Sequence, residues 1–106
     1  MVGDKNKKMK KEYLRRCVEC LRISELFADA ANTQAEMQER FAALVRQQPI
    51  YKEWITLSRA AFIVASGDAA AWRQRAYILF LEAKKLGYAG EFNRDKIKNR
   101  PPIAAV

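Results

Sequence analysis

The sequence predicts an all-α fold: a compact bundle of four main helices plus a short C-terminal fifth helix, packed around a central helix 69–86. Three observations predict it. Apolar residues recur at three and four from Lys8 to Leu86, which is the helical period. The run Ala76-Tyr77-Ile78-Leu79-Phe80-Leu81 is apolar on every side, so its helix needs cover on more than one face. Capping and breaking residues at Thr33, Pro49, Gly67 and Gly87 divide the periodic stretches into separate helices.

Residues 1–7 read as a flexible basic leader, 8–98 as a single helical domain and 99–106 as a flexible tail. The first helix runs from about Lys8 to Ala30 and turns Met9, Tyr13, Cys17, Cys20, Leu21, Ser24, Phe27 and Ala28 to one side. Asn32-Thr33-Gln34-Ala35-Glu36 is a capping-box pattern. Thr33 is placed to accept from the Glu36 amide while the Glu36 side chain reaches back, which starts a second helix. That helix buries Met37, Phe41, Leu44 and Val45 and stops before Pro49, because the residue preceding a proline leaves helical geometry.

Pro49 also suits the first turn of a third helix, Ile50 to about Ala65, whose apolar residues cover half its circumference. Ser66-Gly67-Asp68 reads as a turn, with Gly67 free to take positive φ and Asp68 placed to cap the central helix. Lys84 and Lys85 suit the C-terminal dipole of that helix, Gly87 its left-handed cap, and Tyr88 can fold back onto it. A short segment from Glu91 to Lys98 supplies the fifth helix, and Pro101-Pro102 ends it.

A chain of 106 residues fits one domain that can bury about two-thirds of its unfolded surface, so a core needs neither disulfide nor metal. Twenty Lys and Arg against twelve Asp and Glu leave a net charge of +8. The charge sits at the ends: 8 basic and 3 acidic residues in 1–22, 6 and 7 in 23–83, and 6 and 2 in 84–106. No apolar stretch reaches the roughly 18 residues of a membrane helix, and no secretion signal is read, so a cytoplasmic protein with reduced thiols is expected.

Cys17-Val18-Glu19-Cys20 matches C-x-x-C, but both sulfurs fall on the apolar side of the first helix and the chain has no histidine to complete a zinc site. The pair reads as two small buried hydrophobes, and neither a metal nor a cofactor is expected. The acids are scattered at ion-pair spacings, Glu12 and Glu19 beside Arg15, Arg16 and Arg22, and Glu82 beside Lys85. With no catalytic motif either, the chain reads as no enzyme.

The basic ends point to nucleic acid, whose phosphates need only surface Lys and Arg. The candidates are Lys8, Lys11, Arg15 and Arg22 at one end, and Lys84, Lys85, Arg94, Lys96 and Lys98 at the other. Non-specific association with DNA or RNA backbone, as a small subunit of a nucleoprotein complex, is the expected function. The second helix shows Gln34, Gln38, Glu39 and Arg46 where a helix-turn-helix reader would carry a basic face. Tyr77, Ile78 and Leu81 are expected to be buried under the first helix; otherwise they join parts of Ile55 and Phe62 in an exposed patch, and the alternative expectation is then a protein adaptor or inhibitor acting through that patch, in its simplest form as a homodimer. Trp54, Leu57 and Ala70 are similar to three positions of a tetratricopeptide repeat. Ser58, Gln74 and Glu82 depart from that pattern and nothing else repeats, so no family is assigned.

Overall fold

The computed structural model describes residues 2–92, and their regular structure is two helices, α1 (Val2–Leu44) and α2 (Tyr51–Lys85). Four main helices and a fifth packed as a compact bundle are therefore not the fold: the described residues are 86% helical, in two elements. Residues 31–36 stay inside α1 and residues 66–68 inside α2, where breaks were expected.

Both overridden breaks have a local reason. The Thr33 hydroxyl donates to the Asp29 carbonyl at 3.1 Å, four residues back, and so bonds within a continuing helix and does not cap a new one. Gly67 keeps an ordinary helical φ, and Gly87 alone of the described glycines takes a positive one. Alanines at 60, 61, 65, 69, 70 and 71 flank Gly67, and their helix propensity outweighs the roughly 1 kcal/mol that one interior glycine costs.

The expected break at Pro49 is real. The amides of Val45 and Gln48 close the end of α1 onto the carbonyls of Phe41 and Leu44, and the Tyr51 and Lys52 amides open α2 on Gln48 and Pro49. The end of α2 is as expected too. Gly87 has φ +99°, its amide bonds to Lys84, and the Tyr88 amide reaches the Ala83 carbonyl at 3.1 Å. These two bonds make a Schellman motif. Of the expected fifth helix, Glu91 and Phe92 are described and are not helical, while 93–98 and the tail 99–106 lie outside the described residues.

The chain divides into two units, unit 1 of Met1–Ile23 with Trp72–Val106, and unit 2 of Ser24–Ala71. Unit 1 holds the large-residue core. Leu14, Cys17, Val18 and Leu21, at helical spacing on α1, are buried, as are Ala76, Phe80 and Ala83 on α2. Phe80 lies 5.1 Å from Phe92 and 6.1 Å from Tyr88, ring centre to ring centre, so the segment returned by the Schellman motif closes over it. Gly90 belongs to the same closure, because the Tyr88 ring occupies the space a Cβ there would need.

Unit 2 is a helical hairpin joined through residues 45–50. Its buried seam is made of small side chains seven residues apart, Ser24 and Ala31 on α1, Ser58 and Ala65 on α2. The Ser24 hydroxyl crosses the seam to the Ala69 carbonyl at 2.8 Å. Near the turn Phe41, Tyr51 and Trp54 form a triangle of ring contacts with centres 5.4 to 5.6 Å apart. The larger aliphatic side chains stay outside, Leu57 67% and Val64 63% exposed.

Candidate functional site

The N-terminal turns of α1 gather lysines because residues three and four apart share a helix face. Lys7, Lys8 and Lys11 line a shallow recess with Asp4. None of Lys5, Lys7, Lys8, Lys10 and Lys11 enters an ion pair among the described residues.

Farther along, the strip is partly neutralised. Arg15 is held by Glu12 at 2.6 Å and by Glu19 at 2.7 Å, and Arg16 reaches Glu12 at 3.3 Å. The hydrogen bond from Arg15 lowers the Glu12 carboxyl below the usual carboxylate range, so Glu12 stays charged and the clamp persists through neutral pH. Arg22 is half-buried.

At the end of α2, Lys84 lies over the Phe80 ring at 5.5 Å and Lys85 pairs with Glu82 at 3.0 Å. Both belong to the same unit as Lys8, Lys11, Arg15 and Arg22. Arg94, Lys96 and Lys98 lie outside the described residues. Over its described residues unit 1 carries 12 Lys and Arg against 5 Asp and Glu, a net +7, whereas unit 2 carries 4 against 6, a net −2.

Cys17 and Cys20 are free thiols buried in the unit 1 core. Burial is the main cause that pushes the Cys17 thiol up to about 11 and raises Cys20 as well, so both are held as neutral packing groups. Tyr77, Ile78 and Leu81 are all exposed, Ile78 by 54%, so the expected cover on a second face of this part of α2 is not there among the described residues: only the side with Ala76, Phe80 and Ala83 is buried.

The sequence reading missed a second feature, on one face of unit 2. Two adjoining apolar depressions, of about 440 and 320 Å³, share Gln34 and Ala61. Their walls are two stripes: Phe27, Ala30, Gln34, Met37 and Phe41 on α1, and Trp54, Leu57, Ala61, Val64 and Asp68 on α2. Each stripe advances by three, four, three and four, the heptad spacing of helices that pack on one another. That spacing was present in the sequence, but it runs through Thr33 and past Gly67, where the chain had been divided.

No family model, curated protein or solved structure matches this chain.

Proposed function

We propose that this chain is a non-enzymatic nucleic-acid-associated protein that holds the phosphate backbone through the basic surface of unit 1, as a small subunit of a nucleoprotein complex. The observation that carries the reading is five lysines within two turns of α1, unpaired among the described residues, on the unit that holds the positive charge. Phosphate contacts of this kind give affinity without sequence preference. The pairing of Arg15 with Glu12 and Glu19 favours Lys8 and Lys11 over Arg15 in this reading.

The test is an anisotropy titration onto labelled RNA, single-stranded DNA and duplex DNA across a salt series. Binding is expected to fall linearly in log salt. Lys8→Gln and Lys11→Gln should each reduce the slope by about 0.7 to 0.9, and Arg15→Gln by less. Absence of binding at low salt refutes the reading.

The exposure of Tyr77, Ile78 and Leu81 on α2 favours a second reading, a protein-binding adaptor. Ile78→Asp should then abolish a complex while the helical circular dichroism is kept.

A further inference from the structure

We propose that the apolar face of unit 2 is covered by a second copy of this chain, face to face and antiparallel, so that two hairpins close a four-helix core. The inference is independent of the nucleic-acid reading, because its residues all lie in unit 2.

The stripes admit a second copy as the occupant. A two-fold axis must map a face onto itself, residue i meeting j and j meeting i. The midpoint of the stripe from Phe27 to Phe41 is Gln34, and the midpoint of the stripe from Trp54 to Asp68 is Ala61. Gln34 and Ala61 stand side by side, since both line both depressions. One axis through that layer maps the ends and the midpoints of both stripes at once, while the inner residues, Ala30 and Met37 on α1 and Leu57 and Val64 on α2, interleave one residue out of register. On α1, Phe27 of each copy meets Phe41 of the other and Gln34 meets itself. On α2, Trp54 meets Asp68 and Ala61 meets itself.

The chemistry of these pairings is favourable. Asp68 is the one charged residue lining the face, and the pairing brings it the indole N–H of Trp54, a donor that suits a carboxylate. Two amides at the axis can bond to each other, and one polar layer in an apolar seam fixes register. The turn end, with Phe41 and Trp54, falls on the other copy's far end, where Phe41 meets Phe27 and Trp54 meets Asp68 in a depression that Ala60 and Ala65 keep open. A parallel arrangement would set the bulky ends against each other.

Charge opposes a self-pair less here than on unit 1. Two copies joined through unit 2 set net charges of −2 against each other, with Asp68 the one charged residue lining the face, where the basic unit would set +7 against +7. A face about 21 Å long and about 20 Å wide projects to roughly 420 Å² per copy, about half of the ~800 Å² that each partner gives to a standard interface, so the expected dimer is a weak, concentration-dependent one.

The test uses the full chain in sedimentation velocity over a dilution series up to roughly 100 μM, with expected mass twice the 12.2 kDa of one chain. Leu57→Glu should raise the dimer dissociation constant on the order of a hundredfold. Should that variant also lose helix, cross-linking decides: Ala61→Cys, at the axis, should form an intermolecular disulfide under mild oxidant, and Arg59→Cys, an exposed control, should not. A single-chain mass throughout, a dimer in which Ala61→Cys stays reduced, or equal cross-linking of the two variants overturns the proposal.

Discussion

Residues that look alike in the sequence have different standing in the structure. Lys8, Lys11 and Arg15 lie on one helix within eight residues, yet Arg15 is engaged by two carboxylates and the lysines by none among the described residues. The two cysteines carry chemistry that burial switches off. A thiol must ionise to react, so Cys17 and Cys20 should resist a disulfide-exchange reagent in the folded chain and react at once in denaturant. Their linkage to stability has a definite sign. A thiol whose folded value is raised from 9.0 to about 11 favours the fold below pH 9. That contribution is then lost as pH rises through about 11. Denaturant midpoints measured from pH 8 to 11 should fall accordingly, and Cys17→Ala should flatten the decline.

At the scale of elements, the two glycines of α2 and its cap separate what a glycine permits from what it requires. Gly67 lies in a helix with open space where a Cβ would point, so Gly67→Ala should stabilise by about 0.5 to 1 kcal/mol. Gly87 holds φ +99°, and Gly87→Ala should cost about 1 to 2 kcal/mol. Thermal melts of the two variants should move in opposite directions. The same contrast explains what was legible in the sequence. Pro49 and Gly87 impose a backbone geometry, and the turn and the cap stand where they were expected. Thr33 and Gly67 only allow one, and the helix-favouring residues around them carry α1 and α2 straight through. Helical class, the buried Cys17, Leu21, Ala76 and Phe80, and the exposed N-terminal lysines follow from periodicity and composition alone. The apolar face of unit 2 did not, because a heptad stripe is visible only when the helix that carries it is read as unbroken.

In the molecule as a whole, charge and packing are divided between the two units in opposite senses. Unit 1 carries the basic surface together with the core of Phe80, Leu14 and Val18, and unit 2 carries a nearly neutral apolar face over a seam of serine and alanine. A surface that repels its own kind and a surface that can match itself thus occupy different parts of the chain. The seam has a further consequence in time. Ser24, Ala31, Ser58 and Ala65 bury little side-chain area between the helices, so the backbone around them opens at low cost unless the exposed face is covered. Amide hydrogens near Ala31 and Ala61 should therefore exchange with deuterium quickly in dilute protein and slowly in concentrated protein. Those near Cys17 and Phe80 should keep nearly one rate.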